Sequence, residues 1–183
     1  FEESNKTEYG EIHKLFLNSS LRTKGEDIDN VEFLNTVDSE NIYTLEYLNK
    51  LTRLSKSYAN KSGIKSRNCN FSFHFERSDF IYKGNSLGLA AVCLAYNSIL
   101  KNNINKYYYK FREDCVFTGE IDEKVNLLIL SSDSLKQKIK TVFYSKYKKF
   151  IIPEDNLPEA KTELEKLNFI FPERKLELIP YKS

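Results

Sequence analysis

A serine framed by two glycines, in the run Gly84-Asn85-Ser86-Leu87-Gly88, is the part of this 183-residue sequence best suited to chemistry. Glycines permit a tight loop whose backbone can approach a bound molecule closely. The stretch that follows, Leu87 to Leu100, is apolar on almost every face and too long for a typical strand, so it predicts a helix buried in the core. Ser86 then stands at the positive end of that helix, where backbone N–H groups can stabilise an oxyanion by roughly 3 kcal/mol per donor. Taken alone, Gly-x-Ser-x-Gly equally describes an ordinary helix start whose serine is an N-cap. A serine nucleophile also needs a base. Hydrolases that join this pentapeptide to a histidine base place an acid and then a histidine downstream. Both histidines here, His13 and His74, precede Ser86, which excludes that order within this chain. A lysine can serve instead when burial leaves its amine neutral near neutral pH. Lys136 stands out by its setting, Ser132-Asp133-Ser134-Leu135-Lys136-Gln137-Lys138, in the first turn of a predicted helix. The bland alternative for it is a solvated lysine on a charged helix face.

Other chemistries find less support. Cys69, Cys93 and Cys115 are odd in number and lack Cys-x-x-Cys spacing, and the two histidines lie far apart. A disulfide scaffold or a zinc site is therefore not expected, and a reducing, cytoplasmic compartment is. A net charge of +2 gives no strong field for polyanions. The cluster Tyr107-Tyr108-Tyr109-Lys110, with Lys101, Lys106 and Arg112 nearby, has the composition of a base-stacking surface, but a solvated loop followed by an edge strand accounts for it. Lys146, Lys148 and Lys149 read as the basic C-terminal end of a helix. Neither nucleic acid nor membrane is expected as a partner, since every apolar run falls short of the ~20 residues that span a bilayer. The sequence begins at Phe1 and contains no methionine, so a piece of a longer or processed protein is expected. Residues 1–10 are polar, so no secretory leader is visible there.

The elements that must position these side chains alternate between types. Residues 8–18 and 30–36 read as strands. From Asp38 or Ser39 to Gly63, apolar residues recur at Ile42, Leu45, Leu48, Leu51 and Leu54, the spacing of an amphipathic helix. Residues 70–76 alternate Phe71, Phe73 and Phe75 with Ser72, His74 and Glu76, the pattern of a strand with one buried face. Residues 114–121 and 124–130 read as two strands joined by an acidic turn at Asp122 and Glu123. A helix over 131–145, a short strand Lys149–Pro153 and a final helix over 157–168 complete the order. No repeat or low-complexity linker divides the sequence, so one domain, 1–183, is expected.

Four segments follow one another in this order: Ser86-Leu87-Gly88-Leu89-Ala90, Thr118-Gly119-Glu120-Ile121, Leu135-Lys136-Gln137-Lys138 and Ile151-Ile152-Pro153. Through them the sequence, from Asn85 to Pro153, resembles the proteolytic domain of Lon proteases. The earlier helix and the phenylalanine-rich strand extend the similarity over residues 8 to 180. The resemblance implies an α/β fold, a mixed sheet of the α+β type with packed helices, Lon proteolytic domain-like and ribosomal protein S5 domain 2-like. It implies a serine endopeptidase in which Ser86 is the nucleophile, Lys136 the general base and Thr118 the threonine that orients the lysine. Gly84 and Asn85 belong to the catalytic loop, and His74 falls near a family histidine position, though a packing or solvent-facing role suffices for it. The implied partner is a protein or peptide substrate, with ring assembly of like subunits. No cofactor is implied in this domain. Lon enzymes couple to an ATPase, and no Gly-x-x-x-x-Gly-Lys-Ser/Thr loop is present, so ATP would bind in another segment or subunit.

The sequence departs from the family pattern at Asn85, where proline is usual, at Lys83, where an acid is common, and at Asp133 and Ser134, where glycines are common. A cation at Lys83 favours an oxyanion, whereas Asp133 beside Lys136 would hold the lysine charged. The rival expectation is therefore a catalytically silent domain of the same fold, used for assembly or partner binding.

Overall fold

The computed structural model describes residues 10–22, 29–34, 42–76, 86–103, 108–122 and 126–182. Among them are four α-helices and two three-stranded sheets, a mixed α/β chain of the α+β type. Two compact units are formed: the first from residues between 13 and 110 together with 119–126, the second from 10–12, 111–118 and 127–182. Their segments interleave in sequence.

In the first unit, β1 (Leu15–Leu21) runs antiparallel and β2 (Asn30–Phe33) parallel to a central β3 (Cys69–Phe75). The alternation of β3 places Cys69, Phe71, Phe73 and Phe75 on a buried face, covered by α1 (Ile42–Lys61) and α2 (Gly88–Asn102). Leu48 and Leu51 of α1 and Leu89, Ala91, Ala95 and Ile99 of α2 are buried with them. Small side chains let the two helices approach: Ser55 bonds back to the Leu51 carbonyl at 2.9 Å and reaches the Val92 carbonyl of α2 at 3.3 Å. Helix α1 ends where Gly63 takes φ +80°, a conformation natural only to glycine, with Gly63 and Ile64 N–H groups returning to the Asn60 and Ala59 carbonyls. Asp29 then links α1 to β3, accepting from Lys56 at 2.6 Å and from the Cys69 N–H at 2.8 Å.

The second unit is a parallel sheet, β4 (Cys115–Phe117), β5 (Lys149–Pro153) and β6 (Glu177–Tyr181), with β5 in the centre. Helix α3 (Ser132–Phe143) precedes β5 and α4 (Leu157–Ile170) follows it. Leu135, Ile139, Val142 and Phe143 of α3 bury against Phe150 and Ile152 of β5 and Ala160, Leu164 and Leu167 of α4. Arg174 closes the C-terminal end of α3: it donates to the Phe143 carbonyl at 2.7 Å and lies over the Phe143 and Tyr144 rings.

The structure corrects the strand expectations at three places. Of the strand expected over 8–18, residues 10–14 are not strand and 8–9 lie outside the described residues; β1 occupies 15–21, in register with Phe75 to Cys69 of β3. Residues 128–130 are not strand either, although Leu128, Ile129 and Leu130 are apolar: Leu128 and Ile129 are exposed, and the Leu130 peptide is satisfied by the Asn156 side chain rather than by a neighbouring strand. Strand β6 was not expected, since Glu177-Leu178-Ile179-Pro180-Tyr181 is short and contains proline; at the edge of a sheet the missing N–H of Pro180 is tolerated. The eight remaining expected elements are present, the strand expected over 114–121 only as Cys115–Phe117.

Candidate active site

Ser86 lies two residues before the first residue of α2, and no side-chain hydrogen bond caps that helix, whose N-cap position is Leu87. The hydroxyl is therefore not occupied as an N-cap. Its backbone is fixed instead. The Gly119 N–H donates to the Ser86 carbonyl oxygen at 3.0 Å, and the Gly119 carbonyl accepts from the Leu89 N–H, also at 3.0 Å. The glycine-framed serine and the Thr118-Gly119-Glu120 segment, far apart in sequence, are thus joined peptide to peptide. Gly88 makes this fit possible. A Cβ there would overlap the Tyr47 hydroxyl and lie 3.0 Å from the Gly119 oxygen and 3.1 Å from the Ile121 nitrogen.

Thr118 immediately follows β4 and is buried, its N–H donating to the Ile151 carbonyl of β5 at 3.1 Å. Its hydroxyl oxygen has no hydrogen-bond partner among the described residues. A buried hydroxyl without a partner carries a desolvation cost of about 1–3 kcal/mol and calls for an explanation. Lys136 sits on α3, half-buried, in the same unit as Thr118. Asp133 is exposed in the first turn of α3, where a negative charge complements the helix dipole. Lys138, two positions beyond Lys136, points away from it around the helix; it donates to Ser134 Oγ at 3.1 Å, and burial lowers its pKa below the usual lysine value.

His74 projects from β3 and stacks on Phe16, ring centres 5.1 Å apart, with its buried Nδ1 lacking a partner among the described residues. Gly84 and Asn85, and with them Lys83, lie outside the described residues. The fold thus brings Ser86 to Gly119 in the first unit and carries Thr118 and Lys136 in the second. The three cysteines are free, and burial pushes the thiol of each above its ordinary value, so none presents a ready thiolate. Among the described residues no group of three His, Cys, Asp or Glu side chains is arranged to hold a metal, and no helix is long and apolar enough to cross a membrane.

No family model and no curated protein matches the chain.

Residue patterning does not reveal two side chains that fix distant backbone, Tyr47 beside the Ser86 segment and Asn156 ahead of α3. Tyr47 counted only as one more residue of α1, and Asn156 as a polar residue between β5 and α4. Neither carries a local signal, because each acts on backbone distant in sequence: Tyr47 on Ile121, Asn156 on Leu130.

Proposed function

We propose that the chain is a serine endopeptidase domain of the Lon type, in which Lys136 removes the proton of Ser86. The Ser86 oxygen attacks the carbonyl carbon of a peptide bond in a protein substrate. The amine leaves with the proton that Lys136 returns, and the resulting acyl-enzyme is hydrolysed by water. One observation carries most of the weight: the double hydrogen bond that ties Ser86 and Leu89 to Gly119. It accounts for two of the four ordered segments, the glycine-framed serine and the Thr-Gly-Glu run, as parts of one structure. The partnerless Thr118 hydroxyl adds to it, since a threonine that orients a lysine amine needs an unused hydroxyl.

In finer terms we assign the fold to the Lon proteolytic, ribosomal protein S5 domain 2-like class, one domain taken from a longer cytoplasmic protein. Its ATPase segment or subunit and its ring of like subunits belong to the same proposal. No cofactor takes part in the hydroxyl and amine chemistry itself.

Turnover of an unfolded protein substrate tests the dyad. Ser86→Ala and, separately, Lys136→Ala are expected to abolish cleavage without unfolding the chain, while Lys138→Ala, on another face of α3, retains it. Unchanged cleavage in either of the first two variants excludes the dyad. Loss in Lys138→Ala alone would move the base to that lysine, the one whose burial already weakens its hold on a proton.

A further inference from the structure

One side chain grips both polar groups of Ile121. Tyr47 of α1 accepts a hydrogen bond from the Ile121 N–H at 2.8 Å and donates one to the Ile121 carbonyl oxygen at 3.2 Å. Two residues earlier, Gly119 holds the Ser86 carbonyl and is itself held by the Leu89 N–H, each at 3.0 Å. Tyr47, Ser86, Gly119 and Ile121 all belong to the first unit. The backbone that carries the Ser86 hydroxyl therefore hangs from a short segment, 119–121, whose far end is fixed by a phenol.

We propose that Tyr47 is a positioning residue for Ser86, acting through Ile121 and Gly119 to hold the serine backbone in its attacking geometry. This rests on Ser86 being the nucleophile. Gly88 supports it independently: the hydroxyl occupies the place a Cβ would take, so the glycine that frames the serine also admits the tyrosine. A tyrosine that served only to fill space would need no bare glycine opposite its oxygen. Its hydroxyl is also held in the protonated, donating form, since burial raises its pKa above the ordinary value against the opposing effect of the Ile121 bond.

Tyr47→Phe keeps the ring and removes both hydrogen bonds. Its kcat on a small peptide substrate is expected to fall about ten- to hundred-fold, the penalty of a misplaced reacting group. KM should stay within about twofold, since substrate binding is not what the hydroxyl serves. Labelling of Ser86 by a fluorophosphonate should slow in the same proportion, and amide exchange at Gly119 and Leu89 should quicken, with the thermal midpoint close to that of the parent. Gly88→Ala, which drives a methyl group against the same hydroxyl, is the second variant and should lose kcat likewise. Tyr58→Phe, on the exposed face of the same helix, is the control. A parent-like kcat in Tyr47→Phe, or a loss that only follows a lowered thermal midpoint, overturns the positioning role. The two failures separate cleanly. If the parent chain cleaves, Ser86→Ala does not and Tyr47→Phe matches the parent, the positioning role alone falls. If the parent neither cleaves nor labels, the nucleophile assignment falls and takes it along.

Discussion

Thr118 keeps a hydroxyl in the interior with nothing among the described residues to bond it, and this sets stability and activity in opposition at one residue. Thr118→Val preserves volume and removes the orphan, so thermal stability should hold or rise by up to about 1 kcal/mol. On the proposed dyad the hydroxyl takes up the Lys136 amine during turnover, so its loss should lower turnover about tenfold or more. Parallel thermal melts and cleavage rates check both, and undiminished turnover removes Thr118 from the site. Asp114 at the entry to β4 tests the electrostatics. Arg112 donates to both of its carboxylate oxygens, at 2.9 and 2.8 Å, and holds its pKa down to about 2 from 3.8. A carboxylate with a depressed folded pKa stabilises above its unfolded pKa and stops doing so as pH falls through the folded one. Melts of Asp114→Asn and the parent should therefore differ at neutral pH and converge between about pH 4 and pH 2, and a difference that persists below pH 2 contradicts the pairing. Gly88 was legible in the sequence as a point of close backbone approach, and the structure sets the Gly119 peptide and the Tyr47 hydroxyl against it. Tyr47 was not, because the pattern that identifies a helix weighs side chains by polarity and is blind to a phenol bonding the backbone of another segment.

At the scale of elements, periodicity read most of the architecture. The alternation of Phe71, Phe73 and Phe75 marked β3, the leucine spacing marked α1, and the unbroken apolar run marked α2, since burial imposes those patterns directly. It failed where a single side chain does a strand's work. Asn156 is buried, accepting from the Leu130 N–H at 2.9 Å and donating to the Leu130 carbonyl at 3.0 Å, so the segment leading into α3 is fixed by an amide rather than by a ladder. Apolar residues 128–130 looked like a strand because they have a strand's composition, but they have no neighbouring strand. Asn156→Ala leaves that peptide unsatisfied and is expected to destabilise the chain by about 1–3 kcal/mol, read from its denaturant midpoint. Asn156→Asp should be milder, as it retains the acceptor.

For the whole molecule, the coarse class was legible, whereas two compact units whose segments interleave leave no compositional seam to read. The mixed α/β class followed from alternating element types, whereas which strands share a sheet depends on pairings that no local pattern records. Chemistry by a hydroxyl and an amine draws on no metal, so small-peptide cleavage is expected to be unchanged by a chelator such as EDTA, and a loss restored by a divalent ion would point to different chemistry. The most direct measurement is covalent: treat the folded chain with a fluorophosphonate and locate the adduct by mass spectrometry. A single adduct on Ser86, absent from Ser86→Ala and formed far more slowly in Lys136→Ala, is the expected result. An unlabelled Ser86, or equal labelling with and without the Lys136 amine, would contradict the dyad.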